Sequence, residues 1–290
     1  MYELIQVSDR CFYIQSPAKI GLIRIGEDEA VLIDSGNDRD AGKKVRKHLD
    51  EKGWKLAAIY NTHSHADHIG GNHFLQEQTG CRIYAPGIER DLTEHPLLEP
   101  AFLYGGCPPG ALRHKFLMAQ PSEVLPLSKD VLPEGVGSFP LPGHSFDMVG
   151  FRADDVVFLA DCMASRETLE KYKISFLVDV GAYLETLETV KTMKAALFIP
   201  SHAGPEEDIS LLAQLNIDKT REIADRIEQI CARPSSFEEI LKELFDLYDL
   251  KISFEQHALI GSTVRSYLTY LTDAGRIRAG FDQNRLLFSA

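Results

Sequence analysis

Asn61-Thr62-His63-Ser64-His65-Ala66-Asp67-His68-Ile69-Gly70-Gly71-Asn72 is the stretch on which the reading of this chain turns. Three imidazoles and one carboxylate fall between positions 63 and 68, directly after the apolar run Leu56–Tyr60. Histidines satisfied in a core or scattered on a surface require no such spacing and no partners elsewhere. Three further apolar runs also end in a potential metal ligand: Phe139–Leu141 leads to His144, Val156–Ala160 to Asp161, and Leu197–Ile199 to His202. Strands that end at one edge of a sheet bring their loop residues together, and α/β proteins place ligands there.

The donors total five imidazoles and two carboxylates. Imidazole with carboxylate suits zinc, iron, manganese or nickel rather than calcium or magnesium. Seven donors exceed the four that one tetrahedral ion takes. They suit two ions that share a carboxylate and a water, about 3.5–4 Å apart. Two cations drive the pKa of a shared water towards neutrality, and the resulting hydroxide attacks a carbonyl or phosphoryl centre without a Ser or Cys nucleophile. Cys162 follows Asp161, and strand alternation would point it away from that residue as a buried small hydrophobe.

The surrounding chain reads as α/β. Runs at 11–15, 19–25 and 29–33 are strand-like, Asn37–Gly53 is a charged helix, and further runs at 82–85 and 197–199 alternate with a helix over 181–194. Residues 86–123 are rich in Pro and Gly and too long for an ordinary loop, so a lid-like, substrate-shaping insertion is expected there. Phe102, Tyr104, Phe116 and Met118 offer it an apolar wall, and His95 and His114 also lie in it; His73 is expected on the helix after the metal loop, in a structural role. From 208 to 274 the chain reads as helical, broken at Arg233-Pro234, with a capping box at Ser236 and Glu239. A hairpin over 276–288 completes a winged-helix-like outline, so the expected division is 1–207 and 208–290.

The 290 residues are 44% apolar and 26% charged, which excludes disorder and fibrous repeats. No run is long and apolar enough to span a membrane. Met1-Tyr2-Glu3-Leu4 shows no basic leader segment, and five widely spaced cysteines do not make a disulfide framework, so a cytoplasmic location is expected. The net charge of −12 argues against non-specific nucleic-acid binding.

His63-Ser64-His65-Ala66-Asp67-His68, with His144, Asp161 and His202 beyond it, resembles the metallo-β-lactamase-fold hydrolase superfamily, which includes the glyoxalase II-like (hydroxyacylglutathione hydrolase-like) thioesterases. The resemblance covers residues 1 to about 205 and implies a four-layer αββα sandwich with the metals at one edge. It further implies that His63, His65 and His144 hold a first metal, that Asp67, His68 and His202 hold a second, and that Asp161 bridges them. Asp67 is placed in the catalytic machinery as well. Asp34, ending the run Val31–Ile33, matches the family's early strand-end Asp, which braces the metal loop. Zinc is the expected metal, with iron and manganese as alternatives.

The expected activity is hydrolysis of a small ester or thioester, with a small-molecule acyl compound as partner, no membrane, and a homodimer as a compatible assembly. The glutathione thioester itself fits less well, because His202 is followed by Ala203-Gly204-Pro205 where glyoxalase II carries a Tyr. Lys171 and Lys173 offer an anion site without a secure place in that pattern. The alternative is a single-stranded RNA endoribonuclease, since superfamily members that cleave RNA carry a similar helical tail. Against it, residues 211–290 hold ten basic and twelve acidic side chains, a poor footprint for phosphates.

Overall fold

A computed structural model describes residues 2–290. Contacts group the chain into two compact units. The first runs to Pro142 and resumes over Phe146–Met163 and Lys194–Ile209; the second comprises Gly143–Ser145, Ala164–Met193 and Ser210–Ala290. The last switch between them falls at Ile209/Ser210, and residues 164–193 group with the C-terminal helices.

The first unit is built on two sheets. The larger contains β1 (Glu3–Gln6), β2 (Cys11–Gln15), β3 (Ile20–Arg24), β4 (Glu29–Ile33), β5 (Lys55–Tyr60), β6 (Arg82–Ala85) and β7 (Leu125–Pro126), in that spatial order. Pairing is antiparallel from β1 to β4 and parallel from β4 to β7. The smaller contains β8 (Val136–Pro140), β9 (Val149–Ala153), β10 (Val156–Ala160) and β11 (Leu197–Pro200), ordered β11-β10-β9-β8. β8 and β10 are each antiparallel to β9, and β11 is parallel to β10, so three of its strands end at the same edge.

Alternation along the strands sorts two apolar layers. Phe12, Ile14, Ala30 and Leu32 join Val45 and Leu49 of α1 (Arg39–Lys52) in one core. Their neighbours Cys11, Tyr13, Val31 and Ile33 pack with Phe151, Val156, Phe158 and Ile199 of the second sheet in the other. This is the expected α/β sandwich. Asp38 caps α1 by accepting from the backbone of Asp40 and Ala41, and Gly53 ends it in the left-handed region. After β5 come α2 (Ala66–Ile69) and α3 (Asn72–Thr79).

The insertion 86–123 is more ordered than its Pro and Gly content implies. It carries α4 (Gly87–Glu94) and α5 (Leu98–Tyr104), short helices that start beside Pro86 and Leu97 and stop at His95 and Gly105. The second unit contains α6 (Arg166–Tyr172), α7 (Val180–Lys191), α8 (Ser210–Ile230), α9 (Phe237–Leu247) and α10 (Phe254–Asp273). The capping box at Ser236 and Glu239 is present in both directions. β12 (Arg278–Asp282) pairs with β13 (Arg285–Ser289) through Gln283 and Asn284, both at positive φ as a tight two-residue hairpin turn requires. Among the described residues, no helix is long and apolar enough to cross a membrane.

Candidate metal centre

The site is assembled by strand ends. Asp34 follows β4, the 61–68 loop follows β5, and Asp161 and His202 follow β10 and β11. Close backbone approach fixes the loop: a Cβ on Gly70 would lie 2.4 Å from the Asn37 carbonyl carbon, and one on Gly71 would lie 2.4 Å from the Ser35 carbonyl oxygen. Only glycine allows this contact between the two strand-end loops.

Two clusters of ligand-type atoms result. His63, His65, His144 and Asp161 each present one such atom, all within 4.8 Å of one another, and Asp67, His68 and His202 do the same. Asp161 also meets the second cluster: Oδ1 lies 3.1 Å from His68 Nε2 and Oδ2 lies 3.1 Å from His202 Nε2. Asp67 Oδ2 lies 3.1 Å from His202 Nε2 and 3.8 Å from His68 Nε2. All seven residues singled out in the sequence therefore fall into these clusters.

Hydrogen bonds turn one nitrogen of each ring towards the cluster. Asp34 Oδ1 accepts from the Thr62 amide at 2.8 Å, and its Oδ2 accepts from Thr62 Oγ1 at 2.7 Å and His68 Nδ1 at 2.8 Å. Because the Thr62 hydroxyl donates to Asp34, its lone pair receives His63 Nδ1–H at 2.9 Å. His144 Nδ1 donates to Phe176 O at 3.1 Å and His202 Nδ1 to Pro17 O at 3.0 Å. Each of these four imidazoles thereby keeps a proton on Nδ1 and turns Nε2 to the cluster, where it offers a lone pair once any second proton is lost. His65 is reversed: its Nδ1 lies 3.0 Å from His63 Nε2, and its Nε2 faces Glu99 Oε1 at 3.8 Å.

The donor set fits divalent cations on its own geometry. His68 Nε2 is buried and makes no hydrogen bond. Two donors on one tetrahedral ion, each about 2.0–2.1 Å from it, lie about 3.3 Å apart. The 3.0–3.1 Å separations among His63, His65, His68, His202, Asp67 and Asp161 are close to that spacing.

Charge reinforces the picture. Asp161 and then its hydrogen bonds raise the His202 pKa to about 10, against burial. Burial works to lower the His68 pKa, but Asp161, Asp67 and Asp34 together raise it well above the usual range. Burial also opposes ionisation of Asp161 and Asp67, yet the adjacent imidazoles hold both carboxyls below the ordinary carboxylate range. His65 goes the other way, lowered to about 4 by burial. Without cations, protons on His68 and His202 balance the two carboxylates.

Two acidic residues were not visible from the sequence. Glu89 on α4 is fully buried; its Oε2 accepts from Ser64 N at 2.9 Å and Ser64 Oγ at 2.7 Å, and its Oε1 accepts from Asp147 N at 3.0 Å. The signal was a charged residue sharing the buried face of α4 with Leu92 and Thr93, three and four positions on. Glu99 on α5 faces His65 from the insertion, and nothing in its local sequence marks it. Lys19 is a third support, donating its buried ammonium to the carbonyls of Ser201 and Ala203 on either side of His202.

Other candidates lie outside the clusters. His73 Nδ1 bonds Pro121 O at 2.9 Å on the surface, His95 ends α4, and Lys171 bonds Tyr172. Cys162 is fully buried and burial pushes its thiol pKa upward, but not by the expected alternation: β10 ends at Ala160, whose φ of +50° breaks the strand before Asp161.

The metallo-beta-lactamase superfamily profile matches residues 15–202, and this chain belongs to that superfamily. It is a metal-dependent hydrolase by that membership and by the His/Asp cluster. The chain is 29% identical over 195 residues to a probable metallo-hydrolase of Bacillus subtilis, covering 64% of this chain and 84% of that one. It is 29% identical over 205 residues to a hydroxyacylglutathione hydrolase of Pseudomonas entomophila, covering 64% and 68%. Another hydroxyacylglutathione hydrolase, from Erythrobacter litoralis, matches over 49 residues, so the chain spans a fifth of that relative's length. Among solved structures, a metallo-beta-lactamase family protein of Thermus thermophilus shares the fold with a TM-score of 0.74 at 19% identity, over 99% of this chain and 98% of that one.

Proposed function

We propose that this protein is a dinuclear metal-dependent hydrolase of small esters or thioesters. The observation that carries the reading is the position of Asp161. Its carboxylate belongs to the cluster of His63, His65 and His144, and its two oxygens face His68 and His202 of the other. His63, His65 and His144 would hold one ion, Asp67, His68 and His202 the second, and Asp161 both. Zinc suits these ligands best, and iron or manganese would also be accepted. Bound ions supply Lewis acidity and lower the pKa of coordinated water towards neutrality.

The chain's own groups do the rest. Asp34, Thr62, Phe176 O and Pro17 O keep four Nε2 lone pairs aimed inward. Glu89 anchors the loop between His63 and His65 through Ser64. Asp67 is two-fifths exposed and stays ionised beside His68 and His202, so it can orient incoming water and substrate. No side chain is required as nucleophile, and Cys162 is buried with its thiol protonated.

The ribonuclease alternative gains no support from the C-terminal unit. Arg276 is engaged by Asp225 and Glu228, and Arg285 by Glu239, so two of the three hairpin arginines face acidic partners rather than an open phosphate groove. The test is turnover of an ester, thioester and lactone panel by zinc-, iron- and manganese-loaded protein. Hydrolysis abolished by chelation and by Asp161→Asn supports the reading; metal-loaded protein inert on the whole panel refutes it.

A further inference from the structure

The geometry points to a substrate class for that site, an uncharged apolar acyl group lying along α5, and this inference rests on the acyl-hydrolase reading above. Leu98 and Phe102 lie one turn apart on α5 and are 46% and 41% exposed, while Pro100 and Leu103 of the same helix are buried. Phe102 meets Phe146 edge-on, ring centroids 5.1 Å apart. Ile88 is exposed too, and its amide donates to Asp147 Oδ2 at 2.9 Å, one position after Phe146. Exposed aromatic side chains packed on one another, as Phe102 and Phe146 are, mark a binding surface more often than an accident of packing.

The position of this strip names its occupant. Glu99 lies between Leu98 and Phe102 on the same short helix, and its carboxyl reaches to 3.8 Å from His65 Nε2. Glu99 on the same helix and Phe146, two positions after His144, set this strip beside the candidate metal centre. An alkyl or aryl acyl group would bury against Leu98, Phe102 and Phe146. The insertion is thus the specificity element, and Phe102 is its central residue.

The test is binding of straight-chain carboxylates, the products of such a reaction, to zinc-loaded protein by calorimetry, beside turnover of the matching p-nitrophenyl ester and thioester series. Each added methylene should tighten carboxylate binding about two- to fourfold until the strip is covered. Phe102→Ala should flatten that dependence and Phe102→Leu should keep most of it, both with unchanged metal content; Phe102 is exposed, so neither variant should unfold. Affinity independent of chain length, alongside measurable turnover, overturns the proposal and leaves the hydrolase reading standing. Chain-length-dependent binding without turnover of any ester or thioester supports the strip and overturns the hydrolase reading. A dimer in solution that Phe102→Ser dissociates also overturns the proposal, because the strip would then belong to a second copy of this chain.

Discussion

Asp34→Asn isolates one hydrogen-bond polarity at the centre of the site. The side chain keeps its shape, and asparagine tolerates the φ of +63° found there. The amide carbonyl can still accept from the Thr62 amide. The other branch changes from acceptor to donor opposite Thr62 Oγ1 and His68 Nδ1. His68 then has to accept at Nδ1, which moves its proton to Nε2, the nitrogen that faces Asp161 and Asp67. A protonated Nε2 cannot ligate. Losing a carboxylate partner behind a ligating histidine weakens metal binding about 10- to 100-fold. Replacing a charged acceptor by a neutral one costs about 1 kcal/mol at each of the three bonds, so the metal-free fold should lose about 2–3 kcal/mol. The assay is zinc titration against a chromophoric chelator, with urea unfolding of the metal-free protein in parallel. One weakened site and one near-normal site are expected. Two sites unchanged within threefold would refute the argument that Asp34 sets the His68 tautomer.

Metal loading should release protons. The His202 pKa is raised to about 10 by Asp161, so at pH 7.5 the metal-free ring is protonated and must lose that proton to ligate; calorimetry in buffers of different ionisation enthalpy should count at least one proton released per chain, and none would contradict the assignment. The same raised pKa stabilises the metal-free fold fully below about pH 6.5, and that contribution fades as pH rises towards 10. Thermal unfolding of apoprotein should therefore weaken across that window relative to His202→Ala. Glu89→Gln keeps one acceptor for the Ser64 pair or Asp147 and should cost about 1–3 kcal/mol of stability with a parallel loss of turnover, read by denaturant titration and kcat. Gly70→Ala places a methyl 2.4 Å from the Asn37 carbonyl carbon and should lower metal affinity by displacing the 61–68 loop, with wild-type affinity counting against the close-approach argument.

What was legible in the sequence is what chemistry concentrates locally. The 63–68 spacing, the candidate ligands that end apolar runs at His144, Asp161 and His202, and Asp34 after Val31–Ile33 all stand out because strands deliver their last residues to one edge. The Ser236–Glu239 capping box and the C-terminal hairpin were equally local signals. Glu89 and Glu99 were hidden because their partners, Ser64 and His65, lie 25 and 34 positions earlier in the chain. The Pro- and Gly-rich insertion concealed α4 and α5, since Pro86 and Pro96 bound short helices there instead of excluding them. The grouping of 164–193 with the C-terminal helices depends on contacts such as Ala164 N to Asn216 Oδ1 at 2.9 Å, which no periodicity encodes.

The most direct test is anomalous diffraction at the zinc edge from crystals of the zinc-loaded protein. The account predicts two peaks of comparable height, about 3.5–4 Å apart, with the Asp161 carboxylate touching both. A single peak, or two peaks with Asp161 bound to neither, would contradict it.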